Sequence, residues 1–189
     1  GYTGTGQAKD VLLEGLKRLE YRGYDSAGIA VFDGDKLNIV KRLGKVSELV
    51  DAVSSDQCSG TCGIGHTRWA THGAPSERNA HPHTSCADDI AVVHNGIIEN
   101  FTELREELIA KGHTFVSDTD TEVAAHLVEE GYNGNLLEAV RYAASRLVGA
   151  YGLAVTCEQE PGTIVVTRKD SPIVLGSSEK GSYVASDII

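Results

Sequence analysis

The chain holds no apolar run approaching the roughly 20 residues a membrane-spanning helix needs, and its amino terminus has no basic-then-apolar signal segment. Those two absences make a cytoplasmic location the expectation. Positive charge is also scarce: 17 Lys and Arg stand against 27 Asp and Glu, for a net charge of -10, and no basic stripe interrupts the excess of acid. A nucleic-acid partner is therefore not expected, because little here would release counterions from phosphates. Four cysteines, at 58, 62, 86 and 157, are too few and too irregularly spaced for a disulfide framework, so the thiols read as reduced. No Pro/Ser/Gly-rich linker, internal repeat or low-complexity segment divides the 189 residues, and one domain spanning 1–189 is the economical reading. There is no initiator methionine, and the chain stops at Ile189 in a strand-to-loop passage, so both ends read as cut.

What is present is an ordinary globular composition, 41% hydrophobic and 23% charged, which suits small-molecule chemistry. Gln7 to Tyr21 places Ala8, Val11, Leu12, Leu16 and Leu19 on one helical face, with Gly23 as the stop. Ser26 to Phe32 and Lys36 to Leu43 form a hairpin across Asp33-Gly34-Asp35, and Val46 to Val53 is a short helix. Thr61 to His66 and Ile90 to His94 read as buried strands with an exposed binding loop between them. Asn100 with Glu103 caps a helix to Lys111 closed by Gly112, Thr119 with Glu122 caps a second to Glu130, and Leu136 to Leu147 is a third. Ala150 to Cys157, Thr163 to Arg168, Ile173 to Gly176 and Ser182 to Ala185 are strands. Strands at both ends with helices grouped between them give an α+β class.

The residues suited to chemistry gather between His66 and Asn100. Arg68 offers a planar fork of donors matched to a carboxylate, and Trp69 a flat apolar wall; a surface ion pair and a core position would explain them equally. Asn95-Gly96 is the commonest tight-turn dipeptide, and it also sets a side-chain amide beside an unhindered N–H, the two donors of an oxyanion hole. Asp120 either supports a helix N-terminus or receives an ammonium group. The histidines at 66, 72, 81, 83 and 94 with Cys58, Cys62 and Cys86 do not assemble a familiar zinc spacing, so no metal is expected. Cys62 lies within a strand and reads as an inert buried thiol.

Five segments in order carry a resemblance: Leu19-Glu20-Tyr21-Arg22-Gly23-Tyr24-Asp25-Ser26-Ala27-Gly28, His66-Thr67-Arg68-Trp69-Ala70-Thr71-His72-Gly73, Asn79-Ala80-His81-Pro82-His83, Val93-His94-Asn95-Gly96-Ile97-Ile98-Glu99-Asn100 and Asp118-Thr119-Asp120-Thr121-Glu122. Over essentially the whole chain they resemble the glutaminase domain of glutamine:fructose-6-phosphate amidotransferases, members of the class II, N-terminal-nucleophile group. The resemblance implies a four-layer αββα sandwich, two antiparallel sheets between helix layers. It also implies hydrolysis of L-glutamine to L-glutamate and ammonia by an amino-terminal Cys whose own α-amine is the base. No cofactor is implied; the partner is a sugar isomerase domain of the same enzyme, which takes the ammonia, within a homo-oligomer.

Residue by residue, Asn95 and Gly96 match the oxyanion-hole pair, Arg68 the grip on the glutamine α-carboxylate, and Asp120 the acceptor of its α-ammonium. Trp69, Thr71 and His72 match the loop that closes over glutamine, while Arg22 and Asp25, which an internal ion pair would also explain, belong to a signature segment near the site. The family pattern begins Cys-Gly-Ile, an apolar residue, then Gly-Tyr, whereas this chain opens at Gly1-Tyr2. The nucleophile is therefore expected ahead of Gly1, or the chain is an inert fragment. The remaining alternatives are another class II amidotransferase, such as the phosphoribosyl-pyrophosphate enzyme, and a glutamine-binding module without catalysis.

Overall fold

Alternation along two strands sets the layering. In the computed structural model, which describes residues 1–53 and 58–188, Ala27, Ile29 and Val31 face one way from a strand and Ala30 the other, as period-2 side chains must. That strand is β2 (Ser26–Asp33), paired with β3 (Lys36–Leu43) through a turn in which Gly34 takes φ 64°. With β1 (Tyr2–Gly4), β4 (Cys62–Arg68), β9 (Val174–Ser178) and β10 (Gly181–Ala185) they form an antiparallel sheet in the order β3-β2-β4-β1-β10-β9. A second antiparallel sheet runs β5-β6-β7-β8, from β5 (His83–Thr84), β6 (Ile90–Ile98), β7 (Gly149–Cys157) and β8 (Val165–Lys169).

Helices α1 (Ala8–Leu19) and α2 (Val46–Ala52) cover the outer face of the first sheet, where Leu12, Leu16 and Leu49 meet Ala27, Ile29 and Val31. Helices α4 (Glu122–Gly131) and α5 (Leu136–Arg146) cover the second, with α3 (Phe101–Ala110) packed beside α4. There Leu104, Leu108, Leu127, Leu136 and Val140 meet Ile90, Val92 and Ile98. The sheets meet each other through small residues, Ala30, Ala91 and Ala154, with Ile64 and Val93. Each fully buried Leu, Ile or Val contributes about 1.5–3 kcal/mol, so both outer interfaces are strongly held. The result is the expected α+β, four-layer αββα sandwich. No helix of the described residues is long and apolar enough to cross a membrane.

Several local expectations change on folding. The first helix ends at Leu19 and runs into a short 3-10 turn, Glu20–Arg22; Gly23 is extended, and what it allows is contact, since a Cβ there would stand 2.8 Å from the Thr67 carbonyl oxygen. Neither expected capping box forms. The Asn100 side chain bonds the Arg146 carbonyl and the Val148 N–H at 2.9 and 3.0 Å, and Glu122 reaches back to the Val116 and Ser117 N–H groups instead of closing a box with Thr119. A real cap appears at Asn135, whose side chain accepts from the Glu138 N–H. Strands β1 and β5 are too short to show period-2 alternation and were not anticipated. The passage expected at Ile189 lies outside the described residues.

Candidate active site

A cavity of about 710 Å³ opens where the ends of β4 and β6 come together, one from each sheet. Arg68, Trp69, Thr71, His72, Asn95, Gly96 and Asp120 all line it. Residues up to 52 positions apart in sequence, 68 to 120, therefore share one hollow.

Arg68 is the last residue of β4, and strand geometry fixes its root. One terminal nitrogen, Nη2, donates to the carbonyls of His72 and Gly73, the latter at 2.8 Å, which folds the loop back over its own guanidinium. The other, Nη1, is buried with no hydrogen-bond partner, 3.9 Å from Asp25 Oδ1. Burial pulls the guanidinium pKa down, while the carboxylates of Asp25 and Asp120 oppose that shift. An unpaired buried donor is costly unless a ligand satisfies it. Asp25 also accepts from the Ala70 N–H and from Ser26 Oγ, so it anchors the root of the loop. The alternative of an Arg22–Asp25 ion pair is not what forms: Arg22 reaches Ser186 and Asp187. Trp69 is not a core residue; it is 61% exposed, its ring edge-on to Tyr24.

Asp120 is buried, and it precedes α4 without capping it. Its Oδ2 accepts from the Ile98 N–H at 2.8 Å, and its Oδ1 lies 3.9 Å from His72 Nδ1, free to take a cation. The segment around it is tied down on every side. Asp118 N–H donates to Asn79 Oδ1, Thr119 Oγ1 meets His83 Nε2 at 3.0 Å, Thr121 Oγ1 meets His94 Nδ1 at 2.8 Å, and Ser117 Oγ donates to Glu122. Asn79 also donates to the Ala74 carbonyl, so one side chain joins the Arg68 loop to the Asp120 segment. The far half of the expected binding loop, Asn79 to His83, is thus buried rather than exposed. Sequence reading missed Asn79, Thr119 and Thr121 as positioning groups, because spacing says nothing of partners 27 to 40 residues away.

His66, His81 and His94 line the cavity wall and stack with the buried His83, with ring centroids 4.5 Å apart for 66–81 and 4.9 Å for 81–83. Burial is the leading cause that lowers all four pKa values, to about 3 for His66 and His83 and about 4 for His94, so they stand as neutral rings. His94 Nε2 is buried without a partner. Burial pushes the Cys62 thiol up, in keeping with an inert thiol.

Asn95 and Gly96 do not make a turn. They lie inside β6, opposite Gly152 and Tyr151 of β7, and the strand continues to Ile98. Gly96 has φ 136°, and a Cβ there would fall 2.1 Å from the Ala150 carbonyl oxygen. Only glycine fits that local break in the strand, which sits at the cavity wall.

The fold has close counterparts. A glutamine phosphoribosylpyrophosphate amidotransferase from Bacillus subtilis, complexed with ADP and GMP, superposes with TM-score 0.84 at 30% identity, over 98% of this chain and 40% of that one. A further structure, an allosteric regulatory enzyme of purine biosynthesis, gives 0.85 at 31% identity over the same shares. Residues 66–188 match the model of the glutamine amidotransferase domain. In sequence the chain is 56% identical over 188 residues to the glutamine–fructose-6-phosphate aminotransferase (isomerizing) of Thermus thermophilus, and 54% over 190 residues to that of Pyrococcus horikoshii. Each alignment takes in 100% of this chain; the chain spans about a third of the relatives' length, 31% and 32%. The chain belongs to the glutamine amidotransferase domain family.

Proposed function

We propose that this chain is the glutamine-hydrolysing domain of a cytoplasmic glutamine–fructose-6-phosphate aminotransferase, releasing glutamate and passing ammonia to a sugar isomerase domain of the same enzyme. One observation carries the reading of the site. A buried guanidinium with an unpaired N–H and a buried carboxylate with a free oxygen line one cavity that also holds Asn95 and Gly96. That is a holder for the two ends of an amino acid, with an oxyanion site along its side chain.

In this reading Arg68 takes the glutamine α-carboxylate and Asp120, with His72 alongside, takes the α-ammonium. The nucleophile is the thiol of a cysteine preceding Gly1, a residue that itself lines the cavity. Its α-amine, titrating near pH 8, accepts the thiol proton, and sulfur attacks the amide carbon. Negative charge develops on the former carbonyl oxygen, where the Asn95 amide and Gly96 N–H donate; such donors are each worth about 3–4 kcal/mol in the transition state. Ammonia leaves with the proton from the amine, and water then cleaves the thioester to glutamate. Trp69, Thr71 and His72 form the rim that shuts over the substrate, and the full-length protein is a homo-oligomer.

The test is glutamate release by the full-length protein, with intact mass confirming its amino terminus. Glutamine hydrolysis coupled to formation of an amino sugar phosphate supports the reading; a folded protein that leaves glutamine intact overturns it. The structural neighbours support a second reading, a phosphoribosyl-pyrophosphate amidotransferase. Their 30–31% identity against 54–56% for the fructose-6-phosphate relatives makes it the weaker one. Assay with phosphoribosyl pyrophosphate in place of fructose 6-phosphate separates the two.

A further inference from the structure

Beside α4, four side chains from three separate elements converge. They are Cys86 from the turn after β5, His113 just past the end of α3, and His126 and Glu129, one helical turn apart on α4. Cys86 Sγ stands 3.8 Å from His113 Nδ1 and 3.6 Å from His126 Nδ1, and Glu129 Oε2 stands 2.9 Å and 3.0 Å from the same two nitrogens. All four donor atoms lie within 4.8 Å of one another. Bond lengths of about 2.3 Å to sulfur and 2.0–2.2 Å to nitrogen or oxygen give a tetrahedron with edges of about 3.3–3.6 Å, so shifts of some tenths of an ångström would close this one.

We propose that Cys86, His113, His126 and Glu129 form a tetrahedral site for a divalent metal ion of the zinc class. One thiolate and two imidazoles are too soft a set for magnesium or calcium, and a site closed by four protein ligands is a structural one. Its surroundings fit. His126 presents Nδ1 to the site, and its buried Nε2, which has no hydrogen-bond partner, faces Glu122 Oε1 at 3.6 Å, the carboxylate–histidine arrangement that orients a ligating ring. Glu122 is in turn held by the Val116 and Ser117 N–H groups at 2.7 Å each. The metal would therefore brace the segment that carries Asp120 through His126, Glu122 and Ser117. Cys86 is exposed, which gives the ion a way in. Binding deprotonates the thiol and frees both Nδ1 atoms, the protons leaving to solvent, so affinity falls as pH falls.

Without a metal the same contacts need another account: His126 as an imidazolium between Glu122 and Glu129. Burial lowers its pKa, but the two carboxylates beside it outweigh that and the net shift is upward. The experiment separates an ion from a proton. Full-length protein is stripped with a chelator, then titrated with Zn²⁺ and, separately, Co²⁺. Expected are one ion per chain at this site, a cobalt spectrum with thiolate-to-metal charge transfer, and at least a tenfold loss of affinity with loss of that band in Cys86→Ser and in His113→Asn. A second readout needs no variant: alkylation at residue 86, followed by peptide mass, slows with zinc and recovers with chelator. Cobalt bound without a thiolate band, or alkylation indifferent to zinc, overturns the proposal and leaves the imidazolium.

Discussion

The two ends of the cavity are built by opposite means. At the Arg68 end, the guanidinium is held by carbonyls of its own loop, Trp69 is 61% exposed, and Thr71 lies at the surface. At the Asp120 end, the carboxylate and its neighbours Ser117, Thr119, Thr121 and Glu122 are almost wholly buried, and partners on β5, β6 and the Asn79 segment hold them. In the proposed function the difference follows from what each end must do. A rim that admits substrate needs few long-range bonds and low local stability, whereas a floor that fixes one charge cannot shift without losing alignment.

Acid should break that contrast most strongly. The four stacked histidines have folded pKa values far below 6.5, so the unfolded chain binds more protons between pH 6.5 and 5. Stability is then full above 6.5 and is lost as pH falls, by up to about 1.4 kcal/mol per unit for each ring. His126, with its raised pKa, titrates with the opposite sign but above pH 6.5, outside that window, so the four rings together lose several kcal/mol across it. Denaturant unfolding at pH 7, 6 and 5 measures this; a flat profile would mean the stack is not neutral in the fold.

Next in size is Asp120→Asn, which removes the floor's charge while keeping its shape. Loss of a buried charged partner predicts a fall in kcat/KM for glutamine worth about 2–5 kcal/mol. A change under tenfold would show that the ammonium is held elsewhere. At the rim, Arg68→Lys keeps charge but not the fork, and glutamine binding by calorimetry should weaken by about 1–3 kcal/mol. Unchanged affinity would discard the carboxylate assignment. Smallest is Trp69→Ala, whose exposed ring should cost no more than about 0.5 kcal/mol of folding stability. If thermal unfolding drops further, the rim is part of the core after all and the contrast between the ends disappears.

Much of the fold was legible along the chain because periodicity is a local signal. The β2–β3 hairpin, α1, α5 and the left-handed Gly112 that closes α3 stand where spacing and turn chemistry put them. The candidate site was legible as a set of residues, since seven separately weak positions all line one cavity. Their reasons were not. Asn95-Gly96 reads as a turn yet continues a strand, because pairing to β7 outweighs dipeptide preference and a glycine backbone can absorb the break. Thr119 and Glu122 read as a capping box yet serve His83 and the Ser117 backbone.

The expectation of no metal was drawn from histidines at 66, 72, 81, 83 and 94 and cysteines at 58, 62 and 86. The proposed metal group shares only Cys86 with that set, since His113 reaches it from the segment after α3 and His126 from α4, and no spacing encodes their approach.

The order of residues by itself determined which segments become strands and helices and which face each of them buries, because alternation and helical period are written within a few positions. Only the tertiary structure decided which polar groups meet. A hydrogen bond between residues 81 and 121, or a thiol beside imidazoles 27 and 40 positions on, depends on how the layers are laid together, and that depends on the whole core at once.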